Sequence, residues 1–348
     1  MAQQPLVRSS PAALNEKIDA LGQAWLETHR APGFSVAVVR EGRLVYARGF
    51  GYSDLSAKLP AHARTVYAIG SITKTFTAAA VLKLAQEHEL SLDDRMAAYL
   101  PHFAHAHEIT LRQLLNHTSG LPDFPTAVQA WRLNRDTGGR VRTDDIIRML
   151  DGPALDFVPG TQWEYSNSNY VVLAAVIAKV SHSSYGAFLG RTIFEPLRLT
   201  DTSYGEPARR AANMAVAYRS ILGLNVRQRK VSLDTYSGAG GITSTAPDLA
   251  RFDYALMAGN IVSKKSFHIM YAPARLADGH ATHYGMGLAP DELYGDLMLW
   301  HNGLAPGAGG YCLNVLFPAK RLAIAVLSNG YDFQSTGLVK KLYALYYP

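Results

Sequence analysis

The chain has 348 residues, 48% of them hydrophobic and 18% charged, a balance that excludes a disordered or low-complexity protein and, at this length, predicts two lobes rather than one core. Its net charge of +6 arises from 34 Lys and Arg against 28 Asp and Glu, scattered rather than massed, so nucleic acid is not an expected partner. The lone Cys312 rules out an internal disulfide, a cysteine-based zinc site and a redox pair.

Residues 1–10, "MAQQPLVRSS", have no apolar core of a signal peptide, and no later run is long enough to span a bilayer. The expectation is a periplasmic or secreted protein whose signal peptide is absent from this chain, with a cytoplasmic protein as the alternative. Leu14, Ile18, Leu21 and Trp25 stand at helical spacing behind Ser10 and Pro11, which suit the N-cap and first helical positions, so residues 11–30 form an amphipathic helix. "FSVAVVREGRLVYARGFG" is two β-rich runs around Glu41-Gly42, an antiparallel hairpin.

Helical patterns follow at 71–87, 110–116, 143–150, 169–181 and 184–195, separated by turns such as Ser119-Gly120-Leu121-Pro122 and Val158-Pro159-Gly160. The densest basic cluster, Arg227-Gln228-Arg229-Lys230 with Arg219 nearby, reads as a solvated face or as mild attraction to anionic material such as a cell wall. Thr245 to Asp248 reads as a capped helix start. "YCLNVLF" and "LAIAVLS" flank a turn at 318–321, and Leu338, Leu342, Leu345 and Tyr346 mark a C-terminal helix.

Strands and helices at both ends pack together most simply as an α+β fold: an antiparallel β-sheet flanked by N- and C-terminal helices, with a mostly helical lobe inserted. The expected division is an α/β lobe from residues 1–70 and 200–348 and a helical lobe from 71–199, a single catalytic unit with its site in the cleft between them.

Ser71 follows the strand-like "VYAIG" and precedes an Ala/Leu/Val-rich helical run, with Lys74 one turn along on the same face. A serine hydroxyl becomes a nucleophile when a neighbour takes its proton, and burial together with the positive end of a helix keeps a lysine neutral enough to do so. Alone, this spacing fits a capping serine and a surface lysine better, and the functional reading needs corroboration elsewhere in the chain. In "WEYSNSNY", Tyr165 and Asn167 share one side of an extended segment. A phenol beside amines has its pKa lowered and shuttles protons, while an amide positions a lysine and a substrate carbonyl.

In "LWHNGLAPGAGGYCLNV", His301-Asn302-Gly303 precedes a glycine-rich stretch where a ligand can approach the backbone. A peptide N–H there, opposite that of Ser71, would complete an oxyanion hole. His102, His105 and His107 invite a metal reading, but no carboxylate or cysteine converges with them in the pattern, so no metal or other cofactor is expected. His117 reads as a loop-fixing histidine. Phe124, Trp131, Tyr236 and Tyr311 could line the cleft or pack in the core.

Ser-x-x-Lys, then Tyr-x-Asn, then His-x-Gly in this order resembles the serine β-lactamase and penicillin-binding-protein superfamily. More narrowly it resembles the class C β-lactamase-like group, which also holds D-Ala-D-Ala carboxypeptidases, D-amino-acid peptidases and esterases. "LSLDDRMAAYLP", "ITLRQLLNHTSGLPDF", "FVPGTQWEYSNSNYVVLAAVIAKVS" and "GAGGITSTAPDLARF" extend the likeness from about Pro32 to the last strand.

The resemblance implies Ser71 as nucleophile, Lys74 and Tyr165 as the proton-transfer pair and Asn167 as positioner. It further implies His301, Asn302 and Gly303 as the third motif, and the backbone N–H groups of Ser71 and Leu304 as the oxyanion hole. Which of Lys74 and Tyr165 is the base stays open. His301 stands where β-lactamases carry a carboxylate-binding lysine, and titrating near its ordinary pKa of about 6.5 it would bind an anion less surely. Asp123 and Phe124 are expected to contact substrate, Asp123 repelling an anion.

The implied activity is a cofactor-free serine hydrolase acting through an acyl-enzyme on ester or amide bonds, of esterase or DD-carboxypeptidase type, with weak action on β-lactams. A true class C-type β-lactamase and a non-turning-over penicillin- or wall-fragment-binding sensor are the alternatives. The partner is a small-molecule or peptide substrate, including cell-wall fragments.

Overall fold

The computed structural model describes residues 10–124, 127–205, 213–307 and 309–348, with the side chains of residues 127, 128, 130, 131 and 134 left aside. Helix α1 (Pro11–His29) leads into β1 (Gly33–Arg40), β2 (Arg43–Asp54) and the short β3 (Leu59–Pro60) and β4 (Tyr67–Ala68). One 3-10 turn (Gly70–Ile72) opens α2 (Thr73–Gln86), followed by α3 (Leu111–Leu115), α4 (Ala127–Asp136), α5 (Thr143–Leu150), α6 (Asn167–Ser181) and α7 (Tyr185–Leu189). Then come β5 (Ser203–Tyr204), β6 (Tyr218–Ile221), β7 (Leu224–Arg227), α8 (Ser237–Gly240), β8 (Ile242–Ser244), α9 (Ala246–Ala258) and α10 (Lys264–Tyr271). The chain closes with β9 (Ala289–Leu293), β10 (Asp296–Leu304), β11 (Tyr311–Phe317), β12 (Leu322–Ser328) and α11 (Ser335–Tyr346).

Seven strands form one antiparallel sheet in the order β3-β2-β1-β12-β11-β10-β9. The two ends of the chain therefore meet at its centre, where β1 pairs with β12 in the register Val36↔Val326. Both strands are apolar on both faces because both faces are covered. On one, Val36, Val38, Ile324 and Val326 pack under α1 and α11. On the other, Ala37, Val39, Ala323 and Ala325 let α9 come close. Each fully buried Val or Ile here contributes about 1.5–3 kcal/mol.

Local signals place several boundaries. Ser10 Oγ accepts from Ala13 N at 3.2 Å with Pro11 in the first turn of α1, and Thr245 Oγ1 accepts from Asp248 N at 3.3 Å at the head of α9. Helix α2 is buried on nearly every side, and its Phe76 stacks on Phe252 of α9 at 3.6 Å between ring centroids. The helix expected over 184–195 is α7 followed by a wider turn at Gly190–Phe194. Helix α4 is unexpected from the sequence pattern; its signal was Ala127, Ala130 and Trp131 at three- and four-residue spacing.

Candidate active site

Ser71 lies in the 3-10 turn that joins β4 to α2. Ile69 N donates to Ile242 O and Ile242 N to Thr73 Oγ1, both at 3.1 Å, which ties the two sides of that turn to β8. The end of β10 presses against it from the other side. Gly70 sits at φ +52°, and a Cβ added there would lie 2.5 Å from Leu304 N. A Cβ on Gly303 would lie 1.8 Å from Ile69 O. Sequence reasoning assigned Gly303 to close approach by a ligand; what approaches closely is the chain's own backbone, and it brings the Leu304 amide beside the serine turn.

Lys74 is fully buried, and its Nζ donates to Asn167 Oδ1 at 2.7 Å and Ala239 O at 2.9 Å, with Ser71 Oγ at 3.1 Å. Burial pulls its pKa down to about 7, with the carboxylate of Asp123 acting weakly the other way. Nζ also lies 4.8 Å from the centroid of the Tyr165 ring.

The Tyr165 hydroxyl interacts with Ser71, yet burial holds its pKa above the ordinary value, and Asp123 adds to the rise. This corrects the expectation that nearby amines lower it. One half-neutral lysine does not offset the loss of water and a nearby carboxylate.

Asn167 is the first residue of α6, so the helix begins three residues before its apolar run, which starts at Tyr170. Its backbone N–H and Nδ2 both donate to Asp123 Oδ1, at 2.6 and 3.0 Å. That arrangement fixes the carboxamide with its oxygen toward Lys74. Asp123 thus caps α6 in place of Ser166, whose hydroxyl instead bonds Pro122 O at 3.2 Å. Residues 162–166 are irregular rather than a strand, but Tyr165 and Asn167 still meet at Lys74.

His301 is buried. Its Nδ1 must donate to Asn302 O, 2.6 Å away, because a carbonyl only accepts, so Nε2 accepts from Tyr284 Oη at 2.9 Å. Burial, then the charge of Lys74, push its pKa down to about 3. This corrects the expectation of a histidine titrating near pH 6.5: the imidazole is neutral throughout the working range.

Two more expectations are corrected. Phe124 is buried in the main core, where it packs instead of meeting substrate. Along β10, Leu299, His301 and Gly303 face the same side as the serine turn, whereas Trp300 and Asn302 face the sheet's other side, where Asn302 interacts with Tyr311. Tyr236 bonds Pro306 O at 2.8 Å, and the Trp131 side chain lies outside the described residues. Asp123 is exposed, as a residue at the mouth of the site would be.

Sequence reasoning missed Tyr284 and the carbonyl of Ala239, for which the glycine run "SGAGG" was the available sign. His117, read from the sequence as a loop-fixing histidine, is one in the structure. That ring accepts at Nδ1 from Ser166 N (3.2 Å) and Asn169 Nδ2 (3.1 Å), and its centroid lies 4.4 Å from that of Tyr165, the rings tilted by 35°. The histidine thereby holds the Tyr165 loop in place. Among the described residues no group of three or more His, Cys, Asp or Glu side chains converges on a metal-sized space.

The chain is 33% identical over 276 residues to penicillin-binding protein 4* of Bacillus subtilis (strain 168), covering 75% of this chain and 60% of that protein, which is therefore considerably longer. Its fold superposes on the octameric penicillin-binding protein homologue from Pyrococcus abyssi with a TM-score of 0.78 at 27% identity, covering 95% of this chain and 76% of that one. A D-stereospecific amidohydrolase from Streptomyces sp. gives a TM-score of 0.78 at 25% identity over 93% of this chain and 98% of its own. With the Beta-lactamase family model matching residues 14–346, the chain belongs to the β-lactamase family, within the serine β-lactamase and penicillin-binding-protein superfamily of serine hydrolases.

Proposed function

We propose that this protein cleaves ester or amide bonds of small acyl substrates through an acyl-enzyme on Ser71, with Lys74 as the base of acylation. The bonding of Lys74 Nζ carries the reading. Two of its directions are committed to oxygens that only accept, Asn167 Oδ1 and Ala239 O, so a neutral amine aims its lone pair along the third, at Ser71 Oγ. A pKa of about 7 leaves a large share of that amine neutral at neutral pH.

In this scheme Ser71 Oγ attacks the substrate carbonyl as its proton passes to Lys74. The backbone N–H groups of Ser71 and Leu304 receive the oxyanion. Tyr165, held protonated, gives its proton to the departing alcohol or amine and regains one from Lys74. Water then attacks the acyl group, the same pair takes its proton, and Ser71 is regenerated.

Two features support esters and D-amino-acid-containing amides over β-lactams as good substrates. The third motif offers a neutral imidazole in place of a fixed cation, and Asp123 puts a carboxylate at the mouth. The likeness to a D-stereospecific amidohydrolase points the same way. A panel of nitrophenyl esters, D-alanyl anilides and a chromogenic cephalosporin tests the reading: many turnovers on the first two, slow turnover on the third, and loss of all three in Ser71→Ala. One stoichiometric acylation with no cycling would support the sensor instead, and undiminished turnover in Ser71→Ala would remove Ser71 from the chemistry.

A further inference from the structure

The hairpin of β6 and β7 is not used by the chemistry above, and its surface is unusual. The register pairs Arg219 with Val226 and Ile221 with Leu224. Alternation therefore puts Arg219, Ile221, Leu224 and Val226 on one face and Tyr218, Ser220, Asn225 and Arg227 on the other. The second face is turned inward, with Tyr218 buried and Asn225 Nδ2 donating to Arg30 O at 3.1 Å. The first is turned to solvent: Ile221 is 51% exposed, Leu224 70% and Val226 43%.

The tip is stranger still. Leu222 and Gly223 form a two-residue turn with φ of +51° and +79°. Turns of this kind favour Asn-Gly, and a leucine enters the left-handed region only at a cost. Leu222 is also 99% exposed, so no packing within the molecule offsets that cost. Beside the apolar tip stands the exposed side chain of Arg30, a guanidinium nitrogen of which would lie 3.6 Å from a Cβ on Gly223, and the exposed Arg219 shares the apolar face farther along the strand.

We propose that this hairpin docks the protein on the surface of an anionic lipid bilayer, with Leu222 and Leu224 entering the interface and the arginines meeting the headgroups. Charge decides between occupants. A second copy placed symmetrically on the same face would bring Arg219 against its own counterpart, whereas an anionic bilayer offers apolar depth to the leucines and negative charge to Arg30 and Arg219 beside them. A polyanion without an apolar layer would leave the tip exposed.

The test is co-sedimentation of the full chain with vesicles of phosphatidylcholine alone and with about a third phosphatidylglycerol, a mixture carrying the negative surface charge in question. The expected result is binding to the anionic vesicles only, weakened at high salt. Leu222→Ser with Leu224→Ser should reduce partitioning about tenfold or more, and Arg30→Gln with Arg219→Gln should reduce it independently. Circular dichroism melts establish that each variant is folded. Absence of vesicle binding, equal binding to neutral vesicles, or binding unaffected by the serine pair would overturn the proposal. So would a wild-type dimer that the serine pair converts to monomer in light scattering.

Discussion

Asp123 Oδ1 holds both N–H donors of Asn167, the backbone one at 2.6 Å and the side-chain one at 3.0 Å, and so one exposed carboxylate caps α6 and orients the amide that grips Lys74. Replacing it with alanine frees both donors at once. Asp123→Ala should lower stability by about 1 kcal/mol, the usual worth of a cap, and lower kcat/KM on a neutral ester by about ten- to a hundredfold as the carboxamide loses its orientation. Asp123→Asn keeps an acceptor and should recover part of both losses. Thermal melts and steady-state kinetics on the two variants check this; a stability loss with unchanged kinetics would leave Asp123 as a cap alone.

The Lys74 amine must be neutral to act as a base, and its pKa is about 7. Activity should therefore fall about tenfold per pH unit below that value and level off above it. Tyr165 must be protonated for its part, and since its pKa is raised no alkaline loss should appear below pH about 10, its ordinary value. Lys74→Arg keeps the positive charge and cannot give it up, so it should lose several orders of magnitude in acylation at every pH. A pH profile that stays flat through neutrality would argue against a lysine base.

The same shift has a consequence for stability. Free lysine titrates at 10.5 and folded Lys74 at about 7, so between these values the unfolded chain binds the extra proton. Stability of the wild type should rise with pH across that window relative to Lys74→Met, and the difference should be constant below it. Urea titrations of both proteins between pH 7 and 10 measure the slope, which is independent of whatever packing or hydrogen bonding the methionine changes. No difference in slope would mean that Lys74 is not held neutral by burial.

His301 gives a prediction of the opposite kind. With its pKa near 3 it carries no charge at working pH. The ratio of kcat/KM for a carboxylate-bearing ester to that for its neutral analogue should therefore show no step from about pH 5.5 to 8.5, where an ordinary histidine would titrate. Nitrogen-15 chemical shifts of the ring should report one neutral tautomer, protonated at Nδ1. A step near pH 6.5 in the ratio, absent from His301→Gln, would show that the imidazole charges after all.

At Gly303 the constraint is steric. A methyl group placed 1.8 Å from Ile69 O cannot be accommodated unless β10 and the serine turn separate. Gly303→Ala should cost about 1–3 kcal/mol, and more in kcat than in KM if the Leu304 amide is displaced from the oxyanion. Chemical unfolding and kinetics on a good ester check the two effects separately.

What the sequence revealed divides by the range of the interaction. The hairpin at Glu41-Gly42 and the caps at Ser10 and Thr245 follow from neighbours in the chain, and local rules found them. Ser71 and Lys74 were legible because one helical turn brings them together. The contacts of Lys74 with Asn167 and Ala239 join segments far apart in sequence, and only the packing of α2 against α6 and α8 reveals them.

The pKa values of His301 and Tyr165 were misjudged because burial dominates both, and burial belongs to the whole fold. Asn302 is different. Adjacent residues of a strand point to opposite faces, so choosing His301 for the site already excluded the Asn302 side chain.

The pairing of β1 with β12 bears on how the molecule is made. Val36 cannot meet Val326 until the whole stretch between them has left the ribosome, so the middle of the large sheet must form after its flanks have been synthesised. Until then β1 and β2 expose an apolar edge, a template for pairing with other nascent chains. Folding of this sheet should therefore be slow, limited by this one long-range closure, and helped by any factor that shields the β1–β2 hairpin while β12 is still being translated.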